Sequence, residues 1–199
     1  MEQVQILVYE GVDELDAIAP FEVLAAAGFE VELVSLDPAP IIHGAHGLAL
    51  RPDRFLGRCP DLLVVPGGGW LSRAPQGAWA EVRNRVMPAA IAERHAAGSV
   101  VAGVCTGAML LAAGGLLRDR PAVTHRGALQ ELLEAGAHVH PEARVVDDGD
   151  ILTSGGVTAA IDLALTVVRR ERGLRAARVS AERIEHRPQG PVVEVLHQR

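Results

Sequence analysis

Aromatic residues are scarce in this chain, since only 3% of its 199 residues are Phe, Trp or Tyr. Because 49% of the residues are hydrophobic, the core must be built from Ala, Val, Leu and Ile, which suits parallel strands buried on both faces. Cysteine is also rare, and Cys59 and Cys105 alone do not make a disulfide framework. We therefore expect a protein of a reducing compartment.

The chain also lacks a net positive charge and long apolar runs. The formal net charge is −6, and the 19 Lys and Arg residues are spread along the chain, which leaves no basic footprint for nucleic acid. No apolar run approaches the ~20 residues of a membrane helix. The first residues are acidic and enter a strand directly, unlike a signal peptide. These absences predict a cytoplasmic protein that binds neither nucleic acid nor membranes.

Strand and helix patterns alternate along the chain, with short Gly- and Pro-marked connections and neither a linker nor a repeat. A chain of 199 residues can bury a large core, so we expect one α/β domain over residues 1–199. Besides the strands before Pro66 and Cys105, the patterns predict strands at 4–9, 29–36 and 122–124, and hairpins at 41–50 and around Asp148-Gly149. The predicted helices are 17–28, 79–97 with a kink or break at Pro88, 126–135 with Leu129, Leu132 and Leu133 on one face, 159–172 and 174–183.

Residues 100–117 are the most informative stretch, because a buried strand there runs into an apolar helix with Cys105 at the joint. Such a turn lies at the carboxyl edge of a parallel sheet, where α/β folds bind ligands. The helix N-terminus favours thiolate over thiol, which makes Cys105 a candidate nucleophile and a more reactive thiol than Cys59. Gly103 and Gly107 flank the turn. The alternative is a cysteine that serves only as a small buried hydrophobe.

A second strand, at 61–65, ends in a glycine run at Gly67, Gly68 and Gly69. We expect this run at the same sheet edge, with the Gly68 N–H and the Thr106 N–H forming a donor pair for an oxyanion on Cys105. The alternative is an ordinary turn from strand to loop.

Asp16 is the third candidate. It lies between Leu15 and Ile18, so an inward-facing carboxylate there would be partly buried and able to donate or accept a proton. The alternative is that Asp16 caps the helix predicted at 17–28.

The eight histidines do not predict a metal site. His43 and His46 share a Gly-containing turn, and His138 and His140 share one face of a short strand. Neither pair has a third ligand in register, so we interpret these side chains as surface histidines and expect no metal.

Five stretches together resemble the ThiJ/PfpI superfamily, within it the isonitrile hydratase-like branch. They lie at 14–24, 65–68, 104–117, 122–126 and 152–165. The resemblance implies a class I glutamine amidotransferase-like fold, that is, a flavodoxin-like, doubly wound, mostly parallel sheet with a cysteine nucleophile elbow. It also implies a homodimer.

Roles follow from this resemblance position by position. Cys105 matches the nucleophile and Asp16 the acid that contacts it in the hydratases. Gly68 matches the second glycine of the oxyanion-binding turn. Thr106 stands where the protease-like branch has a catalytic histidine, so proteolysis is not expected.

The same resemblance suggests a substrate pocket formed by Gly67, Gly69, His125 and Arg126. His125 matches a histidine near the nucleophile in several branches. Arg126 replaces the tryptophan usual in the hydratase-like branch, and this difference bears on the substrate.

The implied reaction needs no cofactor: Cys105 adds to the terminal carbon of an isocyanide, and hydrolysis releases an N-substituted formamide. Two alternatives stay open, a non-catalytic cysteine sensor of oxidative stress and a glyoxalase-like activity on α-oxoaldehydes. In each case the expected partner is a small-molecule electrophile. The ~27 residues after residue 172 cannot hold the paired DNA-binding helices of a regulator.

Overall fold

The computed structural model describes residues 1–37 and 39–195. In chain order its elements are β1 (Gln3–Leu7), α1 (Glu14–Ala26), β2 (Glu30–Ser35), β3 (Ile42–His43), β4 (Ala49–Leu50), β5 (Arg54–Phe55), β6 (Leu62–Val65), α2 (Ala78–Asn84), α3 (Val86–Ala96), β7 (Val100–Gly103), α4 (Gly107–Ala113), β8 (Pro121–Ala122), a 3-10 turn (Arg126–Ala128), α5 (Leu129–Glu134), β9 (His138–Val139), β10 (Val145–Asp147), β11 (Ile151–Ser154), α6 (Ala159–Arg183) and β12 (Val192–Glu194).

Eight strands form the central sheet, in the order β12, β10, β11, β7, β6, β1, β2 and β5. All neighbouring pairs are parallel except β10 and β11. All four residues of β6 are fully buried. Successive side chains of a strand point to opposite faces, so helices must cover the sheet on both sides. The predicted doubly wound, mostly parallel α/β fold is confirmed.

The candidate site lies at the carboxyl edge of this sheet. The chain leaves β1 through α1 to reach β2 on one side, and later enters β6 on the other side. Strand order therefore reverses at β1, which is where open α/β sheets form their ligand crevice. The start of α1, the turn after β6 and the turn after β7 meet there.

The first helix begins earlier than the sequence predicts. Asp13, not Asp16, is the N-cap: its carboxylate accepts a hydrogen bond of 3.2 Å from the Leu15 N–H. The helix therefore starts at Glu14 and places Asp16 in its first turn. The interpretation of Asp16 as a cap is wrong.

The helix predicted at 79–97 is two helices. The break lies at Arg85, which has a left-handed φ of 66° and separates α2 from α3. Pro88, three residues later, causes this break. In one continuous helix its ring would clash with the carbonyl of Asn84, four residues earlier.

Several local predictions are confirmed. β3 and β4 pair as the small hairpin, β10 and β11 pair across the Asp148-Gly149 turn, and Gly173 has non-helical backbone angles that interrupt α6 where two helices were expected. Two details differ. The strand expected at 122–124 is β8, which pairs with β9 in a separate sheet, and Leu133 is 53% exposed, unlike buried Leu132.

Within the described residues, no helix is long and apolar enough to cross a membrane.

Candidate active site

Cys105 forms the sharp turn between β7 and α4. Its φ is 53°, a left-handed value that is rare for a residue with a side chain. The backbone is held from both sides: the Cys105 N–H donates to the Gly155 carbonyl at 3.2 Å, and the Thr124 hydroxyl donates to the Cys105 carbonyl at 2.8 Å. Such strain persists only where the surroundings fix it, as at nucleophile elbows.

The glycine turn packs directly on this elbow. A Cβ added to Gly67 would lie 2.5 Å from the Thr106 hydroxyl oxygen, and one added to Gly107 would collide with the carbonyl of Val65. The turn and the elbow can approach this closely only because both positions are glycine.

The predicted oxyanion pair is not free in this structure. The Gly68 N–H donates to the Thr106 side-chain oxygen at 3.1 Å, and the Gly67 N–H donates to Asp16 Oδ2 at 3.0 Å. The amides that act on the Cys105 sulfur belong to Thr106 and Val157. The Gly68 amide therefore fixes the turn in this structure, and its pairing with the Thr106 N–H around an oxyanion stays a prediction.

Asp16 is completely buried. One oxygen accepts the Gly67 bond, while Oδ1 has no partner of regular hydrogen-bond geometry among the described residues. Burial, aided by the charge of Asp13, raises the Asp16 pKa to about 8, although the Gly67 N–H and the Cys105 side chain act in the opposite direction. Near neutral pH, Asp16 is therefore mainly a carboxylic acid that can donate a proton.

Burial opposes the thiolate that the sequence predicts at Cys105. Burial, followed by the charge of Asp16, raises the pKa of the thiol to about 12, and the amides of Val157 and Thr106 only partly offset this. The side chain is 6% exposed and precedes α4, a helix of 7 residues. Cys59, in contrast, is exposed. General thiol reactivity therefore no longer favours Cys105 over Cys59.

Asp16 and Cys105 titrate as a coupled pair, because the charge on Asp16 raises the pKa of Cys105. The charges that act on this pair come from acidic groups: Asp13 raises the pKa of both, and Asp16 raises the pKa of Cys105. A neutral electrophile suits such a site better than an anionic one.

Two of the predicted pocket residues lie on the turn before α5. The half-buried ring of His125 packs on Gly156, where an added Cβ would lie 2.3 Å from its Cδ2. Its Nδ1 accepts a bond of 3.0 Å from the Gly127 N–H, and burial lowers its pKa. Arg126 is exposed. His125 thus contacts Gly156, the residue before Val157. No contact in the described structure connects Arg126 to Cys105.

Comparison with known proteins agrees with this geometry. Residues 2–170 match the DJ-1/PfpI family. The chain belongs to this family. An isonitrile hydratase of Pseudomonas putida is 33% identical over 95% of this chain and 80% of its own length. A deglycase of Pyrococcus horikoshii is 30% identical over 71% of this chain and 82% of its own length.

A solved structure agrees as well. A THiJ/PfpI family protein from Pseudomonas syringae superposes with a TM-score of 0.82 at 27% identity, covering 96% of this chain and 78% of the other. The resemblance found in the sequence is therefore confirmed. The single domain over residues 1–199 stays a prediction.

Sequence reasoning missed two residues of this DJ-1/PfpI site. Tyr9, at the end of the first strand's run, donates a hydrogen bond of 2.6 Å to the Pro66 carbonyl and so holds the glycine turn. Burial raises its pKa well above the usual value, and the charges of Asp16 and Cys105 contribute. The second is Thr124, which holds the Cys105 carbonyl. A lone polar group next to a predicted strand end was the only signal available.

Glu14, the other acid of the first turn, does not serve the site. It accepts bonds from the His46 N–H at 2.6 Å, the His46 ring at 2.7 Å and the Leu48 N–H at 3.3 Å, which holds the β3–β4 loop. Among the residues the structure describes, no group of three or more His, Cys, Asp or Glu side chains is placed to bind a metal ion.

Proposed function

We propose that this protein is a cysteine-dependent enzyme that acts on a small neutral electrophile, with the hydration of an isocyanide to an N-substituted formamide as its reaction. The observation that carries the proposal is the buried Asp16 carboxyl beside the Cys105 thiol, protonated near neutral pH and with one oxygen that has no regular hydrogen-bond partner among the described residues. The similarity to the Pseudomonas putida isonitrile hydratase over 95% of the chain supports this substrate class.

In the first step the Cys105 sulfur bonds to the terminal carbon of the isocyanide. Asp16 gives its proton to that carbon and takes the proton of the thiol, so the product is a neutral thioimidate. The thiol needs no prior ionisation, which fits the raised pKa of both groups. The amides of Thr106 and Val157 stabilise the charge that develops on sulfur.

In the second step water attacks the thioimidate carbon. Asp16, which holds the former thiol proton, gives that proton to the substrate nitrogen and accepts a proton from the water, which leaves a tetrahedral intermediate on Cys105. The carbon–sulfur bond then breaks as the carbon–oxygen double bond forms, the hydroxyl proton passes through Asp16 to the sulfur, and the formamide leaves. The sum is the addition of one water to the isocyanide, with Cys105 and Asp16 restored.

A cysteine sensor fits less well. Oxidation by peroxide proceeds through the thiolate, and burial at Cys105 disfavours that form. Turnover of α-oxoaldehydes remains the enzymatic alternative, because a carbonyl carbon would meet the same thiol and acid. Because the Pyrococcus horikoshii relative is a deglycase, the test includes a carbonyl substrate.

The test offers an isocyanide and methylglyoxal to the wild type, Cys105→Ala, Asp16→Asn and, as the control, Cys59→Ser. We expect isocyanide turnover that Cys105→Ala abolishes and Cys59→Ser leaves unchanged. Asp16→Asn should lower turnover by roughly 10²- to 10⁴-fold, the usual effect of losing a general acid–base. Unchanged turnover in folded Asp16→Asn would remove Asp16 from the mechanism, and activity towards methylglyoxal alone would select the alternative.

We also propose that the protein is a homodimer. Leu15 and Ile18 are 38% and 40% exposed on one face of α1, and Leu48, exposed as well, belongs to the loop that Glu14 holds beside them. Apolar side chains grouped in this way favour contact with a second protein surface.

A further inference from the structure

The only two tryptophans of the chain lie together beside the glycine turn. Trp70 and Trp79 meet edge to face, with ring centroids 5.2 Å apart. The Arg73 guanidinium lies 3.8 Å from the centroid of Trp79 and binds both carboxylate oxygens of Glu131 at 3.1 Å. Trp70 Nε1 donates to the same carboxylate, also at 3.1 Å. We name these four residues the Trp–Arg–Glu clamp.

The clamp holds a loop that is anchored on the glycine turn. The Ala74 N–H donates to the Gly69 carbonyl at 2.9 Å, and the Ala78 N–H returns to the Gly68 carbonyl at 2.8 Å. Gly68 in turn donates to the Thr106 side chain, next to Cys105. Movement of the loop would therefore reach the glycine turn, the first wall of the site.

The same loop also contacts the turn before α5. Leu71 packs on Gly127, where an added Cβ would lie 2.9 Å from the leucine side chain. Gly127 donates to His125, whose ring packs on Gly156, the neighbour of Val157. The contacts thus form a continuous chain from Thr106, the neighbour of Cys105, through the loop to His125 and Gly156.

We propose that Glu131, acting through Arg73 and Trp70, is a positioning residue that sets the width of the entrance to Cys105 and so selects electrophiles by size. This rests on the proposed function only in taking Cys105 as the reacting group. Glu131 is suited to the role because its carboxylate binds both Arg73 and Trp70. The bidentate pair with Arg73 also fixes the direction of the guanidinium.

The experiment measures alkylation of Cys105 in a Cys59→Ser background, where Cys105 is the only thiol. Second-order rates are compared for small iodoacetamide and bulky N-phenylmaleimide. In Glu131→Gln we expect the ratio of the bulky to the small rate to rise at least fivefold. The matched control is Glu134→Gln, on the same helix, whose carboxylate accepts a bond from Gln130 and which should leave the ratio unchanged. No turnover is needed, so failure of the isocyanide reaction would not affect this result.

Tryptophan fluorescence reports the clamp directly, because both tryptophans belong to it, and a shift to longer wavelength is expected in Glu131→Gln. A purely structural role would lower the melting temperature and shift the fluorescence without changing the ratio. An unchanged ratio in folded protein overturns the proposal, with or without the shift. If Glu131→Gln does not fold, Arg73→Lys decides by the same ratio, since it keeps the positive charge but loses the bidentate pair.

Discussion

The burial of Asp16 makes folding stability depend on pH. Below its unfolded pKa of about 3.8 the carboxyl is protonated in both states. As pH rises, the unfolded chain ionises first, while the folded protein keeps the proton up to about pH 8. The folded state thus loses stability through this window, and the loss levels off above it. At about 1.4 kcal/mol for each pKa unit, the loss can reach several kcal/mol.

The prediction at the residue scale is that Asp16→Asn stabilises the protein at high pH. Asparagine keeps an oxygen for the Gly67 N–H but has no charge to bury. We expect equal melting temperatures near pH 4 and, at pH 8.5, a variant that melts at least about 5 °C higher. Thermal melts of both proteins across this range measure the difference. A difference independent of pH would show that Asp16 is not held protonated in the folded state.

At the scale of elements, the glycine turn and the elbow act as one packed unit. We predict that Gly67→Ala lowers the free energy of unfolding by about 1–3 kcal/mol, because the new Cβ would lie 2.5 Å from the Thr106 oxygen and neither backbone segment can withdraw easily. Denaturant titration measures the loss.

The matched control for this substitution is Gly155→Ala, also beside the elbow. Its added Cβ would have Ala159 Cβ as its nearest neighbour, at 3.7 Å, so we expect a change within about 1 kcal/mol of zero. Equal losses in the two variants would mean that the close approach of turn and elbow does not determine the effect.

The glycine turn and the elbow show how much of the site could be predicted from the sequence. Apolar runs ending in glycine or cysteine identify β6, β7 and their turns, because the signal is local. The sequence offered Asp16 as the helix cap, but Asp13 is the cap because it accepts the Leu15 N–H, and Asp16 instead accepts a bond from Gly67, 51 residues away. The part played by Val157 and the engagement of Gly68 by Thr106 arise from packing between distant segments, so no local pattern contained them. The sequence shows the helix position that favours a Cys105 thiolate, but it does not show the burial that opposes it.

At the scale of the whole molecule, the exposed face of α1 predicts how the chains associate. Leu15 and Ile18 lie on the first turns of the helix whose buried side carries Asp16. If this face is the contact between two copies, a charge placed there must be desolvated without a partner. We therefore expect wild-type protein to sediment as a dimer and Ile18→Glu as a monomer.

Leu133→Glu is the matched control, because Leu133 is also exposed but belongs to α5. It should remain dimeric. Dimerisation also couples to stability by mass action, so the melting temperature of the wild type and of Leu133→Glu should rise with protein concentration, whereas that of Ile18→Glu should not. A monomeric wild type at tens of micromolar, or equal dissociation of both variants, would contradict an interface on α1. Since Asp16 lies on the same helical turn, retention of full turnover by monomeric Ile18→Glu would further show that each subunit carries a complete site.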